Sequence, residues 1–316
     1  MKIYHTIPDN KNLFKNPVVT IGNFDGVHVG HRTIFTKLLE RARKISGDAV
    51  VITFSSHPRK VLYPDIPLKI ITTSDEKVNA LFGLGIDNII MLHFTREMAQ
   101  MSAGDFYNDI LITKIDAREL VIGYDHAFGK NREGTIEFLT ALCSRTGIGL
   151  TRVDEEMIGD RPISSTWLRR IIEDGDIPTA RKLLGRNYSL SGMVVRGEGR
   201  GGRLLGFPTA NILPDDEDKV IPALGSYSIV AVLPGGRRIG GMLNIGFNPT
   251  FSAGRQTIEA HLFGFSEDIY DTAITVEFVG RIRPEKRFDS PEELIAQLRT
   301  DRATAMAQLE EHDKKK

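Results

Sequence analysis

The chain lacks the features that mark secreted, membrane-spanning and strongly charged proteins. Its one cysteine, Cys143, excludes an intramolecular disulfide and a cysteine-based zinc cluster. No apolar run reaches the roughly 18 residues of a membrane-spanning helix, and the N-terminus lacks the apolar core of a signal peptide. Basic and acidic residues number 41 each, so net charge gives no general attraction to nucleic acid or to an anionic membrane. We therefore expect a cytoplasmic protein with neither partner, and self-association is left open.

The residues that are present are typical of a globular protein. Hydrophobic residues make up 41% of the chain and charged residues 26%, the usual mixture for a chain that folds in water. At about 150 residues per domain, the 316 residues predict two domains. Cys143 lies in the helical pattern of residues 137–143, which favours a small buried apolar side chain over a nucleophile.

The N-terminal part of the chain alternates between two hydrophobic periods. Short runs rich in β-branched residues are separated by amphipathic segments, which predicts strands separated by helices. The predicted strands are residues 18–21, 49–54, 88–92, 120–122 and 148–153. The predicted helices are residues 30–44, 75–84, 106–112, 135–146 and 178–184, together with one that Ser164 or Ser165 caps and that runs through residue 173. Because these strands are apolar throughout, both faces of their sheet must be covered. This predicts a parallel α/β domain over residues 1–186.

The pattern changes after Gly185. Short segments of strand-like composition follow one another closely, with turn residues between them, as in antiparallel sheets. The predicted strands are residues 188–195, 226–233, 238–245, 257–263 and 273–278, followed by a final helix over residues 290–310. This order predicts an antiparallel β-barrel or sandwich with a terminal helix over residues 187–316.

The most informative motif lies between the first predicted strand and the first helix. Residues 22–31 read GNFDGVHVGH, with three glycines that let a ligand approach the backbone and two histidines three residues apart. Parallel sheets bind ligands at such loops, and the amides of the following helix favour an anion. His28 and His31 are therefore predicted to hold a nucleotide phosphate chain. A tight turn with incidental histidines is the weaker alternative, and a zinc site lacks an evident third ligand.

A second anion site is predicted at the start of the helix that runs through residue 173. Ser164, Ser165 and Thr166 offer hydroxyls and free amides at its N-terminus, and Arg169 lies one turn further on. Taken alone, this segment is better explained by ordinary helix capping. Its pairing with the histidine motif is what favours anion binding.

Two further motifs lie near the start of the C-terminal half. Residues 197–202, GEGRGG, match a dinucleotide-binding pattern, but no helix follows them. A mobile flap or a flexible hairpin tip is therefore the better interpretation. Residues 205–211, LGFPTAN, place Thr209 and Asn211 two residues apart on an extended segment, where both side chains face one side. Their oxygens suit a magnesium ion.

Several of these motifs resemble one known family. Residues 22–31 look like the nucleotidyltransferase signature of bacterial bifunctional riboflavin kinase/FAD synthetases, and residues 206–211 resemble the motif of their kinase module. Shorter matches follow. Residues 53–58 resemble the family's flavin-side loop, residues 123–129 its adenine-side motif and residues 163–169 its second phosphate motif, and residues 244–251 and 257–262 also fit. The resemblance covers residues 18–309. It implies a doubly wound, Rossmann-like N-terminal domain that adenylylates FMN to FAD and a C-terminal barrel, six-stranded or similar, that phosphorylates riboflavin to FMN. ATP and Mg²⁺ are the implied cofactors.

The resemblance also implies roles for individual residues. For adenylyl transfer it implies catalytic histidines at His28 and His31 and ATP contacts by Gly22, Asn23, Phe24, Asp25, Gly30, Asp125, Ser164, Ser165, Thr166 and Arg169. For the kinase it implies Glu259 as general base, with ATP and Mg²⁺ contacts by Gly197, Gly199, Gly202, Thr209 and Asn211, of which the last two hold the metal. Flavin-binding candidates by chemistry are Phe54, Pro58 and Tyr107, with core packing as the equal alternative.

The chain departs from the family's pattern within residues 123–129. It has His126 and Ala127 where the family usually has an aromatic residue and an arginine. An alternative function is therefore a riboflavin kinase whose N-terminal domain is weakened and mainly binds nucleotide. A non-catalytic flavin- or nucleotide-binding regulator would need losses in the kinase motifs, and the sequence shows none. A related nucleotidyltransferase with another acceptor is disfavoured by the C-terminal motifs.

Overall fold

The structure, a computed structural model, describes residues 1–10, 12–196, 207–247 and 256–314. It contains two compact units, Met1–Ser165 and Thr166–Lys316. Within the described ranges, no helix combines the length and the apolar character needed to cross a membrane.

A six-stranded parallel sheet forms the centre of the first unit. In chain order its strands are β1 (Lys2–Tyr4), β2 (Val18–Ile21), β3 (Ala49–Phe54), β4 (Asn88–Leu92), β5 (Glu119–Gly123) and β6 (Gly149–Val153). They lie in the order β1-β4-β3-β2-β5-β6, and every neighbouring pair is parallel. The chain runs outward from β2 on one side and resumes at β5 on the other. The carboxyl ends of β2 and β5 therefore flank the point where such sheets bind ligands.

Helices and short turns connect these strands. They are α1 (Val29–Lys44), α2 (Pro58–Leu62), α3 (Ser74–Gly83), α4 (Arg96–Gln100), α5 (Ala103–Asp105), which continues into a π-helix (Phe106–Lys114), a 3₁₀ turn (Lys130–Arg132) and α6 (Ile136–Thr146). A hairpin of β7 (Met157–Ile158) and β8 (Arg161–Pro162) follows β6. Val18 and Val51 belong to one buried apolar cluster, whereas Val19 and Ile52 belong to another. Alternate residues of a strand thus enter opposite cores, which confirms a doubly wound sheet covered on both faces.

Two elements of the first unit differ from the expectation. Nothing in the hydrophobic pattern predicts β1, because its three residues are exposed or half-exposed at the edge of the sheet. The pattern predicts an α-helix over residues 106–112, whereas the structure has a π-helix at Phe106–Lys114. Its wide turns end with the Ile115 amide bonded to the Ile110 carbonyl, five residues back, at 3.0 Å. A short apolar run does not distinguish this spacing from that of an α-helix.

The second unit is built on a closed barrel of six antiparallel strands. In chain order they are β9 (Tyr188–Val195), β10 (Ala210–Pro214), β11 (Gly225–Val232), β12 (Arg238–Phe247), β13 (Gln256–Leu262) and β14 (Ala273–Pro284). They close in the order β10-β13-β12-β11-β14-β9. Buried and less buried residues alternate along β9 and most of β13, so every second side chain enters the core. The predicted barrel is confirmed, and the sandwich alternative is wrong.

In the part of the second unit that the structure describes, three helices accompany the barrel. They are α7 (Ser165–Glu173), α8 (Ile177–Leu184) and α9 (Pro291–Lys314). The terminal helix α9 extends past its predicted end at residue 310. Its Asp301, 1% exposed, accepts a hydrogen bond of 2.9 Å from Arg283 Nε on β14 and a second of 2.8 Å from Gln297 Nε2. A buried ion pair therefore fixes the helix to the barrel wall.

Candidate active sites

The loop between β2 and α1 brings the two motif histidines into contact. His28 is the N-cap of α1, and its Nδ1 accepts a hydrogen bond from the His31 amide at 3.4 Å. The two imidazole rings stack with their centroids 3.6 Å apart and an interplanar angle of 19°. His28 is buried and His31 is half-buried. Both side chains thus lie at one helix N-terminus, at the carboxyl end of β2, where an anion is favoured.

The carboxylate of Asp25 supports this loop from inside the protein. It is 3% exposed and accepts hydrogen bonds from the Ile71 amide at 2.9 Å and from the amide and the hydroxyl of Thr72 at 3.0 and 3.3 Å. The Thr72 hydroxyl also accepts from the Gly26 amide at 3.0 Å. These bonds give Asp25 a role in loop geometry, while its direct contact with ATP stays a prediction.

The backbone of the loop takes a conformation that L-residues rarely adopt. Phe24, Gly26 and Val27 have φ values of 50°, 86° and 43°. The Phe24 ring lies so close to Gly22 that a Cβ there would meet it at 2.7 Å. A Cβ at Gly30 would lie 3.4 Å from the imidazole of the N-cap histidine. The glycine at position 22 is thus required by a close approach.

Two hydroxyls brace the same loop through its carbonyl groups. Thr53 Oγ1 on β3 donates to the Asn23 carbonyl at 3.1 Å, and Ser165 Oγ donates to the Asp25 carbonyl at 2.9 Å. Ser164, directly before α7, is half-buried. Ser165 therefore lies against the histidine loop, as an ATP-site residue should, although contact with ATP itself stays a prediction.

The other adenylyltransferase candidates lie on two separate elements. Thr166 is exposed and Arg169 is buried on α7, within the second unit. Asp125 is exposed in the turn after β5, and its carbonyl accepts from Arg132 Nη2 at 3.3 Å. Their contribution to ATP binding stays a prediction.

The three flavin-binding candidates have different surroundings. Phe54 is 8% exposed and packs edge-on against Phe94, with ring centroids 5.2 Å apart. Pro58, the first residue of α2, is half-buried. Tyr107 is fully buried, its hydroxyl lies 2.6 Å from Thr146 Oγ1, and burial raises its pKa to about 12. Tyr107 is therefore a residue of the packed core. Flavin contact by Phe54 and Pro58 stays a prediction.

His126, at the position where this chain departs from the family pattern, lies in the turn after β5. Its amide donates to the Gly123 carbonyl at 3.2 Å, and its ring lies 5.6 Å from that of Phe128. Its Nε2 is buried and finds no hydrogen-bond partner in the part of the chain that the structure describes. Burial, together with the positive charge of Arg132, lowers the pKa of His126 to about 4. The imidazole is therefore neutral at pH 7.

In the second unit, four polar residues on four adjacent strands form one row on the barrel wall. Asn211 of β10 lies opposite Glu259 of β13, Glu259 opposite Asn244 of β12, and Asn244 opposite Ser226 of β11. Directly opposed residues in antiparallel strands project to the same face. Both sequence neighbours of Glu259 are buried, so the row faces away from the barrel core.

A cavity of about 260 Å³ lies beside three residues of this row, Ser226, Asn244 and Glu259. It is lined by residues of the barrel, of the segment before β10 and of α9, among them Phe207, Thr209, Ser226, Asn244, Glu259, Arg283, Leu294, Leu298 and Asp301. Thr209 Oγ1 lies 3.4 Å from Glu259 Oε2, within hydrogen-bonding distance. The Pro208 carbonyl lies 2.8 Å from His261 Nδ1. The general-base candidate and a proposed metal ligand therefore lie together on the cavity wall.

The remaining kinase candidates divide into two groups. Gly197, Gly199 and Gly202 lie outside the described residues. Thr209 and Asn211 are half-buried and two residues apart, as predicted for one face of an extended segment. Within the described ranges, no cluster of three or more histidine, cysteine or acidic side chains could hold a metal ion.

Sequence reasoning missed several residues that support these sites. Thr72 bonds Asp25 under the histidine loop, and Lys77 bonds the Phe54 carbonyl at the end of β3. Arg283 and Asp301 line the barrel cavity. Only Lys77 carries a signal in the sequence. It occupies the same face of α3 as the buried Leu81, four residues on, where an apolar residue is expected.

Family models match most of the chain in two parts. The model described as FAD synthetase matches residues 10–167, and the one described as riboflavin kinase matches residues 184–309. The bifunctional riboflavin kinase/FMN adenylyltransferase of Escherichia coli strain K12 is 35% identical over 288 residues, which cover 91% of each chain. The chain belongs to the bifunctional riboflavin kinase/FMN adenylyltransferase family. The predicted family is confirmed.

Other similar proteins agree with this family and its fold. The family member of Haemophilus influenzae is 33% identical over 308 residues, 97% of this chain and 99% of its own. The member of Bacillus subtilis is 33% identical over 293 residues, 92% and 91%. A crystal structure described as a macrolide-efflux protein from Streptococcus pneumoniae matches with a TM-score of 0.84 and 32% identity, covering 94% of this chain and 97% of that one.

The neutral state of His126 predicts a pH-dependent contribution to stability. Its pKa of about 4 lies below the ordinary value of 6.5, so between these pH values the unfolded chain binds a proton that the folded chain does not. The His126→Phe variant lacks this effect. As the pH falls from 7 to 4, the unfolding free energy of His126→Phe should therefore rise relative to that of the wild type, by on the order of 1–3 kcal/mol.

Thermal unfolding followed by circular dichroism at pH 7, 6, 5 and 4 measures this difference. Parallel pH curves for the two proteins would contradict a neutral His126 in the folded protein. Exchange of the exposed His93, on the same unit, for phenylalanine is the matched control for the change of side chain.

Proposed function

We propose that this chain catalyses two successive steps of flavin cofactor synthesis. The second unit phosphorylates riboflavin to FMN with ATP, and the first unit transfers an adenylyl group from ATP to FMN to give FAD. The proposal is supported by one observation. The residues predicted to react in each step lie in the part of the chain that the family model for that step matches. The stacked His28 and His31 lie in the FAD synthetase match, and Glu259 lies beside a cavity in the riboflavin kinase match.

Adenylyl transfer needs positioning and charge stabilisation rather than a covalent enzyme intermediate. A phosphate oxygen of FMN attacks the α-phosphorus of ATP, the bond to the bridging oxygen breaks, and pyrophosphate leaves. His28 and His31 donate hydrogen bonds to phosphate oxygens at the N-terminus of α1, where the helix amides also favour negative charge. Ser164, Thr166 and Arg169 are the proposed second set of phosphate contacts.

The kinase step needs a base beside the acceptor hydroxyl. The terminal hydroxyl of the ribityl chain attacks the γ-phosphorus of ATP, ADP leaves, and the carboxylate of Glu259 takes the hydroxyl proton. A hydrogen bond from Thr209 Oγ1 would orient one oxygen of this carboxylate, 3.4 Å away. The adjoining cavity is the proposed riboflavin site, because it combines apolar walls with this one reacting carboxylate.

Magnesium is the proposed metal partner of ATP in the kinase unit. Thr209 and Asn211 offer hydroxyl and amide oxygens, which are hard ligands that suit Mg²⁺, and they would hold it together with phosphate oxygens. When bound, the ion neutralises charge on the transferred phosphate.

The proposed partners are small molecules, namely the flavins and ATP. We also propose a cytoplasmic location, because ATP is available there and because the buried Cys143 is a free thiol. Macrolide efflux, the description of one similar crystal structure, does not enter the proposal. Both family models and the curated relatives named above describe flavin enzymes.

A chromatographic time course with riboflavin, ATP and Mg²⁺ tests the proposed function. FMN should appear first and FAD later, because FMN is the product of one unit and the substrate of the other. FMN that accumulates without FAD, even when FMN is supplied directly, would favour the alternative of a weakened N-terminal domain. The absence of any product would overturn the proposal.

The Glu259→Gln variant should lose riboflavin phosphorylation while converting supplied FMN to FAD at the wild-type rate. Removal of a general base lowers the rate by about 10²- to 10⁴-fold, and this base belongs to one unit only. Separate initial-rate assays with riboflavin and with FMN measure the two steps. An equal loss of both activities would contradict separate sites.

The His31→Ala variant should show the opposite pattern. Loss of one donor to the developing phosphate charge lowers the adenylylation rate by about 10²- to 10³-fold, whereas riboflavin phosphorylation is retained. The same pair of assays serves here, with kinase activity as the internal control for folding. Unchanged FAD formation would remove His31 from the site.

A further inference from the structure

Lys77 is a buried cation beside the adenylyltransferase loops, and the mechanism above does not use it. It lies on α3 and is 4% exposed, and its Nζ donates to the Phe54 carbonyl at 2.9 Å. Burial lowers the pKa of Lys77 to about 8, and the negative charge of Asp25 opposes this lowering. Burial of an ammonium is costly unless the group is paired or hydrogen-bonded, and here the Phe54 carbonyl is its acceptor.

The carbonyl that Lys77 holds belongs to the last residue of β3. The chain continues from Phe54 into residues 55–58, the segment that carries the remaining flavin candidate Pro58. A second residue of α3 holds the same segment, since Ser74 Oγ donates to the Ser55 carbonyl at 3.0 Å. The first turn of α3 thus fixes the start of the predicted flavin-side segment through two hydrogen bonds.

The same helix is also joined to the histidine loop. Thr73 caps α3 in a capping box with Glu76, with hydrogen bonds of 3.1 and 3.3 Å between them. The preceding residue, Thr72, bonds the carboxylate of Asp25 and the amide of Gly26. The start of α3 therefore contacts both the histidine loop after β2 and the segment after β3. The proposed reaction requires these two loops to be aligned.

We propose that Lys77 is a positioning residue for adenylyl transfer, because its ammonium holds the end of β3 and the flavin-side segment 55–58 in place beside the histidine loop. The inference rests on the proposed FMN adenylyltransferase activity. It assigns to Lys77 no contact with ATP or flavin. Lys77 is expected to affect the binding of FMN, the acceptor substrate. The residue whose carbonyl it bonds, Phe54, directly precedes the segment predicted to bind FMN.

The Lys77→Met variant removes the ammonium and keeps most of the length of the unbranched side chain. We expect kcat/KM for FMN to fall by about 10- to 100-fold, mainly through a higher KM for FMN, because a small misplacement of a positioning segment has effects of this size. The KM for ATP and the rate of riboflavin phosphorylation should stay within about twofold of wild type. The Lys77→Arg variant, which keeps a charged donor, should recover part of the loss.

Three controls make the experiment decisive. Lys114→Met removes an exposed lysine that pairs with Asp9 and should change neither activity. Ser74→Ala removes the second hydrogen bond to the same segment from a half-buried position, and it should raise the KM for FMN by a smaller factor. Kinase activity and the thermal unfolding midpoint report on folding in every variant.

Some results would overturn the inference. An unchanged KM for FMN in Lys77→Met, or an equal rise of the KM values for FMN and ATP, would show that Lys77 has no acceptor-side role. If Lys77→Met does not fold, an unchanged KM for FMN in Ser74→Ala overturns the inference. Absence of FAD formation in the wild-type protein would instead refute the proposed function, so the two failures are distinguishable.

Discussion

The carboxylate of Asp25 is buried, so its hydrogen bonds must be made inside the protein. The histidine loop of the first unit depends on these bonds. Its partners are Ile71 and Thr72, 46 and 47 positions further along the chain. These bonds secure the loop whose residues Phe24 and Val27 have positive φ values. Strain of this kind persists only where the surroundings over-determine the backbone. The position of the stacked histidines depends on this loop backbone and on the hydrogen bonds of Asp25 that secure it.

Strand register has the same importance in the barrel. Side chains alternate between the two faces of a strand, so a slip of one residue would turn Glu259 into the core and bring Ile258 or Ala260 outward. The buried apolar neighbours of Glu259 prevent this slip. The observed register aligns Asn211, Glu259 and Asn244, and the helix α9, fixed by the Arg283–Asp301 ion pair, completes the cavity beside them. Core packing thereby places the carboxylate of Glu259 on the outer face.

Much of the fold was predictable because its signals are local. Apolar β-branched runs predicted five of the strands of the sheet, and closely spaced short strands predicted five of the six barrel strands. The elements that were missed give weak local signals. β1 has three residues without an apolar period, β10 follows a glycine- and proline-containing segment, and the π-helix at Phe106–Lys114 shares its apolar run with an ordinary α-helix.

The sequence by itself determined the two-part organisation and the motifs at residues 22–31 and 206–211, because glycine spacing, residue chemistry and hydrophobic period are properties of neighbouring positions. Only the tertiary structure decided that Asp25 is held by Thr72, that Lys77 bonds the end of β3, and that Tyr107 lies in the core. Each of these contacts joins segments more than 20 positions apart. The satisfaction of a buried polar group depends on which segments packing brings together, and no local pattern records that.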